Sequence, residues 1–579
     1  MKRATRYSSS FNCSKYAHRV LKEGKILLEG EAPSQMVERV VSEIARAEMD
    51  FFGNSGSRVI HFENELGELL DSKKIIFSTP VLTNAGRNTS MPLSACVVPP
   101  IDLNGDFSKI KAMVDAYHQE AIGTGFNFDE VEDPVSMLDF LNEVAIKGAK
   151  SGRENRPVGN MGILSVDHPC IKEFVMVKAG VDKEWKFNIS INVTSEFIHA
   201  LKKKGRYRLK NGKSVYAEEI FNMMAASTFL CGDPGLIFME RLNRDNPVPA
   251  LGLYTSVAPC AEVGLAPGES CQFGYLNLGA FVLDSGSEIN TEGLLKTVSI
   301  LVRALDNALE VSIQRFSIKK SSEIMMAKRK IGVGLCGLAD MLAKLNLGYD
   351  SEPARKICKD IIALINYASK EVSCELGKER GSFLAFHQSR YVDKPGFIED
   401  KYESLESSYV SKGNWVKLAE RIRKSGTLRN CSTVSLPPTG RSGLVIDASL
   451  GVEPFFNLSK GGEIIPLLRE KLQISGCASL ENLQHILEKG SCQELIVPEE
   501  IKRVFKTATE IHPQDHLRMV GEIQPCVDEA ISKTINFPNH TTIEEIKEVF
   551  FDAFHMNLKG VTVYINSRSK SQPIKLADG

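Results

Sequence analysis

The chain has 579 residues, and its 71 Lys and Arg against 72 Asp and Glu leave a net charge of −1. That balance gives no electrostatic footprint for nucleic acid or an anionic membrane surface, although a small nucleotide needs only a local pocket. Hydrophobic content of 43% and charged content of 25% describe a globular chain with ample core, in one very large domain or two to three ordinary ones.

Thirteen cysteines form no Cys-x-x-Cys pair and no regular spacing. This excludes a secreted disulfide scaffold and a structural zinc site, and it fits a reducing, cytoplasmic setting in which most thiols are small buried hydrophobes. The basic start, Met1 to Tyr7, runs into serines and not into an apolar stretch, so it is no secretory signal. No run of about 18 apolar residues occurs, so no membrane span is predicted.

Met36, Val37, Val40, Val41, Ile44 and Ala45 recur at helical spacing and predict helix over about 32–72. Residues 1–74 thus read as a small helical N-terminal region. Lys74 to Pro80 reads as a strand ending in a turn. Strands then alternate with helices: 161–166, 171–178, 187–193 and 195–203, then a helix over about 291–315, a strand near 331–335 and a helix over about 353–377. Alternation sustained this long predicts an α/β domain with a largely parallel sheet or barrel over 75–566. The polar helical stretch 461–515, broken by Pro466, Pro498 and Pro513, reads as an insertion or cap, and 567–579 as a loose tail.

One short stretch joins a thiol to an acid: Ala258-Pro259-Cys260-Ala261-Glu262. Cys271 follows eleven residues after the thiol, and Cys96 lies far upstream. A thiol beside a carboxylate, with two more thiols able to meet as a disulfide, suits sulfur-based radical or redox chemistry. Gly332-Val333-Gly334-Leu335-Cys336-Gly337 matches a dinucleotide fingerprint by letter, but no second strand with an acid follows. Its glycines are therefore read as positions where a strand and a helix approach closely. Leu436 to Gly443 lacks the Lys of a P-loop, and it reads equally as a phosphate cradle or a plain connection. His168, between Asp167 and Pro169, reads as structural.

Taken in order, a dozen stretches from about residue 75 onward resemble the large catalytic subunit of ribonucleotide reductases, most of all the adenosylcobalamin-dependent class. They include Ser78 to Gly86, Leu93 to Cys96, Gly123 to Phe128, Asp167 to Pro169, Phe187 to Ser190, Gly232 to Gly235, Pro259 to Glu262, Leu276 to Leu278, Gly332 to Leu342, Pro438 to Gly440, Gly451 to Pro454 and Ala530 to Asn536. The resemblance implies a ten-stranded α/β barrel whose central finger loop carries Cys260. Cys260 would be the thiyl radical that takes hydrogen from C3′ of the ribose, and Glu262 the base at the 3′-hydroxyl. Cys96 and Cys271 would be the reducing pair that helps expel the 2′-hydroxyl as water and ends as a disulfide. Thr79, Ala95 and Ala258 match substrate-contacting positions, and Pro438, Thr439, Gly440, Arg441 and Ser442 match a phosphate-contacting loop. A single tyrosine, Tyr564, stands where subunits fed by a partner's radical carry a tandem pair, so adenosylcobalamin is the implied radical source. Implied partners are a ribonucleoside di- or triphosphate and an external thiol reductant such as thioredoxin, with no nucleic acid or membrane, for a monomer or homodimer.

Three departures bear on function. Ala258 stands where the family has Asn, whose amide helps hold the 2′-hydroxyl; losing such a buried hydrogen bond costs about 1–3 kcal/mol. Glu130 to Ser136 is short, and the loop Gly152 to Asn160 is altered, so weak dNTP control of specificity is predicted. The last cysteine is Cys526, where the family commonly ends in a mobile cysteine pair, so either an external reductant reaches Cys96 and Cys271 directly or multiple-turnover reduction is not the reaction. Two alternatives stay open: a diverged radical enzyme acting on another nucleotide, and a non-catalytic nucleotide-binding homologue.

Overall fold

The computed structural model describes residues 7–565 apart from 54–55, 88–89, 151–157, 285, 287 and 394–395. Most of the altered loop Gly152 to Asn160, and the stretch 567–579, lie outside the described residues.

Five short parallel strands build one half of the fold: Cys96–Val97, Gly123–Asn127, Asn160–Ser165, Phe187–Asn192 and Gly235–Ile237. Helices fill the crossovers, as parallel pairing requires. A second parallel set starts with Phe273–Asn277 beside Gly332–Cys336. It continues through the bridges Val333 to Val434 and Leu436 to Ile531, and ends with Thr534–Phe537 beside Gly560–Ile565. The two halves run antiparallel where they meet. Gly560–Ile565 pairs with Gly235–Ile237 on one side, and Val97 bridges Ser270 on the other. Counting 433–436 as a member, ten strands close into a barrel.

The seam at Ser270 is built unusually. Ile75–Phe77 pairs antiparallel with Phe273–Asn277, and Cys96–Val97 lies along the earlier part of the same edge. One edge strand is thus made of two pieces. The excursion between them includes the helix Thr79–Asn84, entered through Pro80.

The predicted N-terminal helix is three helices, Pro33–Arg46, Glu48–Phe52 and Gly56–Asp71, because Gly53 adopts a positive φ after the second. Their apolar faces share the main core with the long helix Thr291–Ile313. Buried Glu48 fixes the contact: Arg303 Nη2 donates to it at 2.7 Å and Asn307 Nδ2 at 2.8 Å. The stretch from Phe455 to Phe505 gathers a smaller core of its own, which leans on Ala339 and Ala343.

Candidate active site

A narrow hairpin, Ser256–Val257 against Gly264–Leu265, runs through the barrel interior. Its tip is set by local chemistry. Ala261 N donates to Ala258 O at 2.8 Å, closing a four-residue turn with Pro259 in the position its fixed φ favours. Ala261 leaves the turn at φ 63°, which a residue with a side chain rarely adopts. Cys260 is therefore held at the apex. It is the one exposed cysteine of the thirteen, and seven others are buried.

Both barrel halves grip this hairpin. Gly123, Gly125 and Asn127 alternate onto the face that meets it. Asn127 Nδ2 donates to Thr255 O at 2.9 Å, and Asn188 Nδ2 donates to Pro259 O at 3.1 Å. From the other half, Ser435 Oγ (2.8 Å) and Ala530 N (2.9 Å) both donate to the backbone oxygen of Glu262. A Cβ on Gly125 would collide with Val257 O. Gly125→Ala is accordingly expected to destabilise the protein by about 1–3 kcal/mol in urea unfolding and to cost most of the turnover, because the hairpin backbone must shift.

The hairpin stands on a buried ionic base that sequence reading missed. Lys330 Nζ donates to Gly264 O (2.8 Å) and Tyr254 Oη (2.9 Å), and it lies 3.1 Å from Glu269 and 3.2 Å from Glu529. Tyr254 Oη donates to Glu529 at 3.1 Å, and Lys328 pairs with Glu269 at 2.8 Å. Isolated Lys and Glu letters scattered over 269–529 carry no pattern to reveal such a cluster. Lys330→Met would leave Glu529 buried without its ammonium, and a loss of about 3–5 kcal/mol is expected in urea unfolding at pH 7.

Glu262 is 3% exposed, and its Oε2 has no hydrogen-bond partner. Burial pushes its carboxyl up to about 7. A carboxylate pinned by its backbone, with one bare oxygen and a proton affinity near neutrality, is equipped to take a hydrogen bond or a proton from a bound hydroxyl.

The other two thiols meet across the barrel seam. The antiparallel bridge between Val97 and Ser270 sets Cys96 opposite Cys271 one residue along. Ala95 N donates to Cys271 O (3.5 Å), and Ser270 Oγ donates to Cys96 O (2.5 Å). Facing residues of an antiparallel pair sit at a separation that a disulfide can span. Burial, with Cys96 and Glu262 nearby, raises the Cys271 thiol well above its ordinary range. Cys96 Sγ and Pro259 Cγ flank the same space above Gly123, 3.5 and 3.2 Å from where a Cβ would stand. The pair and the hairpin tip thus share one chamber.

Further sequence-predicted positions converge here. Thr79 Oγ1 lies 3.4 Å from Ser442 Oγ, and Ala95 O accepts from Gly123 N at 3.0 Å. In the loop, Gly440 has φ 46° and ψ −122°, a conformation suited to glycine. Thr439 Oγ1 accepts from Gly451 N (3.0 Å), which holds the loop against Gly451. Pro438 is exposed, while Thr439 and Ser442 are buried. The Arg441 side chain runs beside Gly24, with Cδ 3.3 Å from where a Cβ there would stand, so the N-terminal helix Lys15–Glu23 flanks this loop. Ala258 is fully buried and presents only a methyl group.

Two motifs resolve differently or more sharply. Gly332 and Gly334 make room for the rings of Phe273 and Tyr275 on the neighbouring strand, so the close approach is strand to strand and not strand to helix. Gly337 does open a helix, at φ 67°, and lies against Asn277. His168 is structural: Nδ1 accepts from Cys170 N at 3.1 Å, and Nε2 lies 3.1 Å from Val131 O.

A closed ten-stranded barrel, threaded by a hairpin with a thiol at its tip and a facing pair of thiols in its wall, is the arrangement that the resemblance to ribonucleotide reductases implies. Residues 125–564 match the family described as "Ribonucleotide reductase, barrel domain", and the chain belongs to the ribonucleotide reductase family. It is 32% identical over 559 residues to the vitamin B12-dependent ribonucleoside-diphosphate reductase of Thermoplasma acidophilum, a match covering 91% of this chain and 68% of that protein. A protein of the same name from Mycobacterium tuberculosis is 30% identical over 581 residues, covering 94% and 76%. Among solved structures, the α subunit of the class Id ribonucleotide reductase of Actinobacillus ureae superposes with a TM-score of 0.76, covering 97% of this chain and 98% of that one. At 19% identity that likeness speaks for the fold.

Proposed function

We propose that the chain reduces ribonucleotides to 2′-deoxyribonucleotides by thiyl-radical chemistry, with adenosylcobalamin as the radical source. The observation that carries this reading is the shared chamber: Cys260 at the hairpin tip, Glu262 behind it with a bare carboxylate oxygen, and Cys96 facing Cys271 across the seam. The relatives' names support the cofactor and favour diphosphates as substrates.

The site's own residues fit the cofactor. Cys260 is exposed, and next to Pro259 stand Gly159 and Asn188, both exposed as well. Among the described residues this face leaves the thiol accessible. Among the described residues there is no group of three or more His, Cys, Asp or Glu that could hold a metal ion. When bound, the cofactor supplies a carbon radical able to take hydrogen from a thiol. Cys260 is the residue placed to give up that hydrogen and then to take one from the sugar. Glu262 holds the neighbouring hydroxyl. Cys96 and Cys271 supply the two electrons of the deoxygenation and become a disulfide. A dithiol of external origin restores the pair; thioredoxin is the expected kind.

Ala258 favours a second reading, because a methyl group fills a position where the family resemblance implies an amide. On that reading the same chemistry acts on a different nucleotide. One experiment decides. The protein is incubated with adenosylcobalamin, dithiothreitol and each ribonucleoside di- and triphosphate, and products are read by mass spectrometry. A 2′-deoxy product with at least one diphosphate is expected. Hydrogen exchange into the cofactor without any deoxy product would overturn the reductase reading in favour of the second. Addition of single dNTPs is expected to leave substrate preference unchanged, consistent with the short Glu130 to Ser136 segment; a clear change in preference would contradict that expectation.

A further inference from the structure

We propose that Tyr275 contacts the substrate and that its hydroxyl donates a hydrogen bond to the ribose 2′-hydroxyl, an inference that rests on the reductase reading. Tyr275 lies in the strand Phe273–Asn277, which follows directly from Cys271. Side chains alternate along a strand. Gly274 faces outward, since a Cβ there would stand 2.9 Å from Leu301 and 3.3 Å from Leu305 of the long outer helix. Phe273, Tyr275 and Asn277 therefore face inward.

The ring is tightly placed. Its Cδ1 and Cε1 lie 2.8 and 3.1 Å from where a Cβ on Gly334 would stand, and Pro437 Cδ lies 3.0 Å from the same point. Tyr275 is thus held between the inner face of the adjacent strand and the loop leading into Pro438 to Ser442. The residue as a whole is 4% exposed, and its hydroxyl makes no hydrogen bond among the described residues, but that oxygen is not fully enclosed and keeps some accessibility. Buried tyrosine hydroxyls ordinarily find partners. The ionisable groups acting on it are Glu262, Cys271, Cys260 and Cys336, and the first three are the proposed reaction centre. Burial and these neighbours hold the phenol far above its ordinary range, so it stays protonated and remains a donor.

The direction of the bond follows from the division of labour in the chamber. Glu262 offers an acceptor for the 3′-hydroxyl. The reducing pair must reach the 2′ side of the sugar, and Tyr275 lies in the strand that begins two residues after Cys271. Ala258, beside the tip, brings no polar atom to that side. A phenol with an unused donor on this wall meets the hydroxyl that departs.

The test is Tyr275→Phe, which deletes only the hydroxyl and breaks no internal hydrogen bond. Affinities for a ribonucleoside diphosphate and its 2′-deoxy counterpart are measured by calorimetry, alongside kcat and KM and the urea midpoint. About a tenfold or greater loss of affinity and of kcat/KM is expected for the ribonucleotide, with deoxynucleotide affinity and the urea midpoint unchanged. A Tyr275→Phe protein that keeps the wild-type preference for ribo- over deoxynucleotide would overturn the proposal while wild-type turnover stands. Wild-type protein that forms no deoxynucleotide at all would overturn the reductase reading, and this inference with it.

Discussion

Replacing Cys260 by serine is expected to abolish deoxynucleotide formation and cofactor hydrogen exchange together, while the urea unfolding curve stays where it was. The stability half of this expectation follows from exposure. Cys260 is the exposed apex of a turn already fixed by Pro259 and by the bond from Ala261 N to Ala258 O, so its sulfur contributes little to packing. The activity half follows from bond chemistry. An alcohol O–H is much stronger than a thiol S–H, and each ~1.4 kcal/mol added to a barrier is a factor of ten in rate. The Cys260→Ser protein would therefore fall below detection in any radical assay. Serine at Cys96 or Cys271 should differ in kind: exchange with the cofactor persists, because Cys260 is untouched, while the two-electron reduction fails. The contrast separates the hydrogen-abstracting thiol from the pair that supplies electrons. If Cys260→Ser retains measurable exchange, the radical assignment is wrong. If Cys96→Ser still reduces substrate repeatedly, the facing pair is not the reductant.

Glu262→Gln should trade activity for stability, and the sign depends on pH. The carboxyl's ordinary value is 4.5, and burial lifts it to about 7 in the folded chain. Between those two values the folded state holds a proton that the unfolded state has released. Stability contributed by this group therefore falls as pH rises from 4.5 to 7; the penalty is complete above 7 and absent below 4.5. From the raised value, the penalty is about 3 kcal/mol. Gln carries no charge, so the variant is expected to gain up to about 3 kcal/mol in urea unfolding at about pH 8 and nothing at about pH 4.5. Its turnover should be lost at both. In wild type, kcat/KM should climb as pH rises through about 7 and level off beyond it, as an ionised carboxylate becomes available to accept from the substrate. An unchanged urea midpoint on the alkaline side would mean that the carboxylate is well solvated in the folded protein, and a flat pH profile would remove Glu262 as the base.

Much of the framework was legible in the letters. Strand-helix alternation marked the parallel halves, and the Pro-Cys-x-Glu stretch marked the hairpin tip. The inner-face glycines could be seen but not assigned. Gly123 and Gly125 stand where a hairpin passes, and Gly332 and Gly334 where two rings lie, and only the closed barrel supplies those neighbours. The opposition of Cys96 and Cys271 spans 175 positions and depends on the seam register, which no local pattern encodes. Tyr275 was missed because a tyrosine in a strand is ordinary. Counting by twos from Cys271 would have put it on the same face. The ionic base under the hairpin left no trace at all, since Tyr254, Glu269, Lys330 and Glu529 come from four separate segments.

The split edge strand has a consequence for how such an enzyme can change. Ile75–Phe77 and Cys96–Val97 are each zipped separately to the same neighbouring strand. Insertions or deletions between them leave both registers intact. The helix Thr79–Asn84 between them is itself fixed by burial of five of its six residues, while Cys96 stays opposite Cys271 through the seam bridge. On the roles proposed for Thr79 and Cys96, substrate contact and electron supply therefore sit on separately paired pieces of one edge.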